Sequence, residues 1–581
     1  MFIVTSTPFL PLENSKYLLR LGKMVTKFAV FILALGGLAS ASSASKFKSA
    51  LERRVSSTTI TRLAPSSEDT DPSLLYPAHT LAVPIDHFHN ESKYEPHSSG
   101  TFSLRYWFDA SHYEAGGPVI VLQSGESDGT ERLPYLQKGI LQQLAQVTHG
   151  IGVVLEHRYY GESFPTPDLS TENLRFLTTE QALADEAYFA QNVVFEGLEH
   201  VNLQAPHTAY IGYGGSYAGA FNAFLRKVYP EVFWGTISSS GVVEAIYDYW
   251  DYYEPIRVYG GTECISNVQK ITNVVDNIII GSKNPAKIKQ LKATFGLPNV
   301  TYNDDFANVL SFGIQGWQSR NWDPAVNDPS YAQFCANITS KSPLYSPSST
   351  LKNSVHELLT EGGYGKEASA LTTPFLNWIG WLAVNEVEPC AAGGQTQDAC
   401  FSTHTPSFYA QDDITQTWRS WPYQYCTEWG YLQTGSGVPA NQLPLISRTL
   451  DLEWCSIICV EAFNITTPPD TEVINKYGGF GISYPRLAFI DGEEDPWRPA
   501  TVHANPYNTT AHNRTSTVDK PYILIQGAVH HWDENGLFPN QTITKPNELL
   551  PPLPIRETQA EEAIFVQAWM EEWRREHGYK W

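Results

Sequence analysis

The chain has 581 residues, 42% hydrophobic and 17% charged, a globular composition too long for one simple core. Acidic residues outnumber basic ones 61 to 39, a formal charge of −22, so no basic stripe is available to neutralise nucleic-acid phosphates. The same excess suits a secreted protein that works in acid, where protonation relieves carboxylate repulsion.

The N-terminus reads as an address. Phe28–Leu38 is a short apolar run preceded by Lys23 and Lys27 and followed by Ala39-Ser40-Ala41, the pattern of a secretory signal peptide over residues 24–44. Met24 offers a second start that would give this signal a more ordinary length. Residues 45–79 are then a disordered N-terminus or a short pro-segment cut after Arg53-Arg54. No later stretch is apolar enough to span a bilayer. Secretion, or delivery to a vacuolar or lysosome-like compartment, also fits the Asn-x-Ser/Thr sequons at Asn90, Asn299, Asn337, Asn464, Asn508, Asn513 and Asn540. Seven cysteines suit an oxidising compartment, with one thiol left over and no Cys-x-x-Cys that would suggest a metal.

A folded core begins near residue 80. Phe102–Phe108, Val119–Leu122 and Gly152–Glu156 read as strands, Thr178–Leu198 as a helix, and Thr208–Tyr213 as a strand. Helix-like Tyr217–Val228 and a strand at Phe233–Ser238 follow, an alternation that predicts a mostly parallel sheet covered on both faces. Over residues 247–460 the alternation stops and the chain becomes rich in Trp, Tyr, Asn and Ser, which predicts a disulfide-pinned, mainly helical insertion. It resumes over 461–581 with strands at Arg486–Ile490 and Tyr522–Gln526. A closing helix, Glu557–Glu576, has Phe565, Val566, Trp569, Met570 and Trp573 on its core face. Glu561, Glu562, Glu571, Glu572, Arg574 and Arg575 are assigned to its opposite face.

The chemistry lies at the strand ends. Gly214-Gly-Ser-Tyr-Ala-Gly219 between a strand and a helix has the context of a nucleophile elbow, although an ordinary glycine-rich turn reads the same way locally. Asp495 and His530 lie on the loops after the two later strands, in the order Ser, Asp, His that acyl-transfer enzymes of this layout use. Asp491, Glu493 and Glu494 compete with Asp495, and His531 competes with His530. A metal reading of His530, His531 and Asp533 is disfavoured because neighbours in an extended stretch point to opposite sides.

With these blocks in view, the chain resembles the proline-directed serine peptidases that include lysosomal Pro-Xaa carboxypeptidase, dipeptidyl peptidase II and the fungal acid prolyl endopeptidases. The resemblance rests on the serine motif, Glu156-His-Arg-Tyr-Tyr-Gly-Glu-Ser163, Val243–Trp250, Trp421–Glu428, Asp495-Pro-Trp497 and Gly527-Ala-Val-His-His531. It implies an α/β-hydrolase core interrupted by a helical, disulfide-bonded cap domain. Ser216 would be the nucleophile, Asp495 the orienting acid and His530 the base. Tyr217 would supply one oxyanion donor, with a second from the loop near Gly125 or from Tyr159-Tyr160. Trp497 would form a wall of a proline pocket or serve as a structural tryptophan beside the triad. Neither a cofactor nor a metal is expected, and the partner is a proline-containing peptide or protein. Two departures stand out. Ala218 replaces the glycine common in relatives, and Gly125-Glu-Ser127 resembles the fungal endopeptidases more than the lysosomal Gly-Asn-Glu, which leaves exo- against endopeptidase open. A lipase or esterase on the same fold and a non-catalytic binding protein are the competing readings.

Overall fold

The computed structural model describes residues 72–538 and 550–578; the expected signal segment, residues 45–71 of the segment expected to be disordered or removed, and Asn540 lie outside them. The rest of that segment holds a short helix, Pro72–Leu75, and the start of the first strand at His79. β1 (His79–Pro84), β2 (Thr101–Asp109), β3 (Val119–Gln123), β4 (Ile151–Leu155), β5 (Tyr210–Gly215) and β6 (Gly235–Ser239) come first in the chain. They join β9 (Leu487–Gly492) and β10 (Tyr522–Ile525) in one eight-stranded sheet of order β1-β2-β4-β3-β5-β6-β9-β10. β2 runs antiparallel to both of its neighbours, β1 and β4, and the pairings from β4 through β10 are parallel, the arrangement of an α/β-hydrolase.

Parallel strands buried on both faces must be apolar on both. In β3, Val119 and Val121 join one core while Ile120 and Leu122 join the other. The first core packs against helix Tyr217–Val228 through Tyr217, Ala220, Phe221 and Phe224. The second is closed by Ile140–Thr148 and by Leu553–Glu576, which supplies Phe565, Trp569, Met570 and Trp573. Glu562 does not share the solvent face predicted for it. It is fully buried, because the helix turns this position toward the polar interior around Asp533 and Glu534.

The chain leaves the sheet at the carboxyl end of β6 and re-enters it at β9. Between them lie the helices Thr262–Asp276, Asn303–Gln315, Ser330–Thr339, Ser349–Glu361 and Ala368–Leu382, with short β7 (Ile246–Asp248) and β8 (Gly430–Leu432) paired in parallel. This insertion is mainly helical and carries the disulfides Cys264–Cys335, Cys390–Cys400 and Cys426–Cys459. Cys455 is the thiol left over. Among the described residues no helix is long and apolar enough to cross a membrane.

Trp569 tests the second core. It is 1% exposed, its indole N–H donates to the Val518 carbonyl at 2.7 Å, and its own carbonyl accepts from Trp234. Trp569→Ala is expected to cost about 3–5 kcal/mol, seen as a lower denaturation midpoint in urea. An unchanged midpoint would contradict this packing.

Candidate active site

β5 ends in a turn that no ordinary strand-to-helix junction needs. Ser216 adopts φ 58° and ψ −123°, and the helix begins at the next residue. A positive φ at a residue with a side chain costs on the order of 1–3 kcal/mol and persists only where the surroundings enforce it. Here Ser216 N–H donates to the Ser239 carbonyl at 2.9 Å and its carbonyl accepts from Ala220. The approach of strand to helix leaves no room for side chains. A Cβ at Gly214 would stand 2.4 Å from the Ala218 carbonyl oxygen, and one at Gly219 would stand 2.6 Å from that of Ser239. Ala218 itself fits, buried and facing Gly125, where an added Cβ would meet its methyl at 3.5 Å.

Two neighbouring loops complete the site. Asp495, fully buried after β9, accepts the Trp497 N–H on Oδ1 and meets His530 Nδ1 with Oδ2 at 2.7 Å. The carboxylate holds the imidazole proton on Nδ1 and leaves the lone pair on Nε2. That Nε2 is buried and has no partner among the described residues. The rival acids have other partners. Asp491 binds His503 at 2.6 Å, Glu494 pairs with Arg320, and Glu493 accepts the Gly527 N–H. His531 does not point away from His530 as an extended stretch would require. Its φ of 56° turns the chain so that the two rings stack with centroids 3.8 Å apart. The loop is tied to the elbow: His531 N–H donates to Ser240 Oγ, and a Cβ on Gly215 would lie 2.9 Å from His531 Nε2.

Of the expected oxyanion donors, Tyr217 stands at the first helical position, where the N–H has no acceptor within the helix. Its ring is buried, and its hydroxyl donates to His157 Nε2 at 2.9 Å, with His157 Nδ1 donating to the Arg158 carbonyl. Burial lowers the His157 pKa to about 4, keeping it a neutral acceptor. At Gly125 the N–H donates to Gln123 Oε1 at 2.8 Å, and a φ of 71° carries the loop past Ala218. Tyr159 and Tyr160 are also committed, their hydroxyls to Asn173 O and Gln424 Oε1 and their amides to Ser163 O and His157 O.

Trp497 lines a cavity of about 530 Å³ within the insertion, together with Tyr252, Trp421, Tyr431, Trp454 and Cys455. The indole stacks on Tyr249 and donates to Gln318 Oε1 at 2.7 Å. Ser216 and His530 do not line this space; it adjoins them through Trp497 and through Trp421, whose ring meets that of Tyr217. Of the sequon asparagines, Asn90, Asn299, Asn464 and Asn513 are exposed, and Asn337 and Asn508 partly so.

Behind the histidine loop lie two acids, Asp533, named in the sequence only for the disfavoured metal reading, and Glu534, to which the sequence assigned no role. Asp533 accepts from Tyr213 and Ser239 hydroxyls at 2.6 and 2.7 Å, and Glu534 Oε2 sits 3.5 Å from His531 Nδ1. The only signal for them in the sequence was their closeness to His530.

The residues 83–341 and 383–544 match the family "Serine carboxypeptidase S28". The chain belongs to that family. It is 55% identical to a "Probable extracellular serine carboxypeptidase" of Arthroderma benhamiae over 86% of this chain and 69% of the relative. It is 30% identical to "Serine protease vicPa" of Bipolaris victoriae, covering 75% and 81% of the two chains. It is 24% identical to "Thymus-specific serine protease" of Mus musculus, covering 80% and 83%. The protein is a serine peptidase.

The buried acids make stability depend on pH. Burial pushes Glu534 from 4.5 to about 8 and Asp533 from 3.8 to about 6. Between those values the fold keeps protons that the unfolded chain has released, so stability falls as pH rises through each window. Buried His531, held neutral well below 6.5, acts in the opposite sense as pH falls below that value. Glu534→Gln is expected to flatten the decline in thermal midpoint between about pH 4.5 and 8. A wild-type midpoint rising across that window would contradict the assignment.

Proposed function

We propose that this peptidase is secreted and glycosylated, and cleaves peptides on the carboxyl side of proline through a Ser216–His530–Asp495 triad and an acyl-enzyme. The observation that carries the reading is the 2.7 Å contact of Asp495 with His530 Nδ1, with Nε2 left unpartnered in the loop packed on the elbow. His530 Nε2 takes the Ser216 hydroxyl proton as Oγ attacks the carbonyl carbon, and Asp495 stabilises the imidazolium. Negative charge on the carbonyl oxygen meets the Tyr217 N–H at the positive end of its helix, with a second donor from the Gly125–Ser127 loop. His530 then gives its proton to the departing amine. Water enters, loses a proton to His530 and frees the acid product and Ser216.

Proline specificity is supported by Trp497, a flat aromatic face two residues beyond Asp495 and braced by Tyr249. Secretion is supported by the signal pattern, the exposed sequons, the disulfides and the extracellular designation of the Arthroderma relative.

A fluorophosphonate probe is expected to label wild type and His531→Ala but not Ser216→Ala or His530→Ala. Asp495→Asn is expected to lower kcat by about 10⁴-fold, as loss of an orienting carboxylate does. Labelling that survives in His530→Ala but fails in His531→Ala reverses the assignment of the base. Blocked and unblocked prolyl peptides then separate endo-, carboxy- and dipeptidyl peptidase action; cleavage indifferent to proline refutes the specificity.

A further inference from the structure

Outside the catalytic region, the segment between β1 and β2 gathers three metal-ligating side chains. Asp86, His89 and His97 each offer one ligand atom, and these atoms all lie within 4.8 Å of one another. The arrangement is more than an ion pair. Asp86 is 2% exposed, and its Oδ1 is saturated by the Phe88 N–H at 2.9 Å and Gln181 Nε2 at 2.8 Å. Its Oδ2 is thereby aimed at the imidazoles and meets His97 Nδ1 at 2.7 Å. The two imidazoles stack with centroids 5.5 Å apart and 27° between planes, so both rings stand on the same side of the carboxylate. A carboxylate held by outer hydrogen bonds and facing two imidazoles is how proteins prepare a metal ligand.

We propose that Asp86, His89 and His97 form a structural Zn²⁺ site. Two nitrogens and one carboxylate oxygen suit Zn²⁺, and a fourth tetrahedral position is left for water on the exposed His89 side. Zinc–ligand bonds of about 2.0–2.2 Å place ligands roughly 3.3 Å apart, so the cluster closes by small side-chain shifts. Through Gln181 the site fastens residues 85–100 to helix Thr179–Asn192. Asp185 of that helix holds Arg158 and also His87 of the same segment. The site is therefore a clamp at the edge of the catalytic scaffold and takes no part in the reaction.

A second cluster, Asp304, Asp305 and His404, is less suited. Asp305 already accepts from Ser402, Thr403 and Trp454, and His404 stacks on Tyr302 at 3.7 Å.

The test is zinc retained by the full secreted chain after EDTA treatment, loading with ZnCl₂ and dialysis, with thermal midpoints read in parallel. Wild type, His404→Ala and His530→Ala are expected to retain a single zinc per chain and to melt higher with it. His89→Ala and His97→Ala are expected to retain none and to show no zinc-dependent shift. His89 is exposed, so its variant should melt with wild type in EDTA, and the Asn90-Glu-Ser sequon is untouched. Failure of wild type to retain zinc overturns the proposal. So does retention unchanged in His89→Ala, or loss in His404→Ala alone.

Discussion

The close approach of β5 to the helix that follows it governs this molecule. Ser216 sits at the one place where the strand turns directly into the helix, at φ 58°. Gly214 and Gly219 are required there because backbone from the opposite element fills the space a side chain would take. The parallel sheet presents the carboxyl ends of β5, β6, β9 and β10 side by side. Loops leaving those ends therefore converge on the serine. The insertion departs from the same edge, after β6, which is why its aromatic cavity adjoins the site through Trp497 and Trp421.

The segment Glu156–Ser163, the most distinctive block of the sequence, is a brace that contributes no reacting group. Glu156 binds Arg105 through both oxygens, at 2.8 and 2.6 Å, and also the Gly129 N–H and Ser163 hydroxyl. Arg158 pairs with Asp185, and His157 anchors the Tyr217 hydroxyl. Buried charges of this kind are tolerated only when fully paired, and removing one partner costs about 3–5 kcal/mol. Such a network rewards precise placement of the loop more than stability. It fixes the Tyr217 ring, and with it the amide beside Ser216.

Asp533, Glu534 and Glu562 give the same region a different character. They are buried together, and burial raises each toward its neutral form. With the whole chain carrying a formal charge of −22, these acids included, protons ease the repulsion among its carboxylates. A medium below neutrality is the one in which these carboxyls, and the histidine loop they support, are least strained.

Local order was legible in the residues alone. Strand–helix alternation identified the sheet, the bounds of helix Tyr217–Val228 were read correctly, and the order Ser216, Asp495, His530 followed from turn chemistry at strand ends. These features rest on short-range periodicity and backbone sterics, which a sequence records directly. Choices between near neighbours were not legible. Asp495 differs from Asp491 only in meeting His530 and not His503, and His530 differs from His531 only through a backbone twist. Pairing of the six bridged cysteines, the burial of Glu562 and the meeting of Asp86, His89 and His97 were likewise decided by packing. Each depends on groups brought together from separate turns or distant segments, and only the tertiary fold sets that juxtaposition.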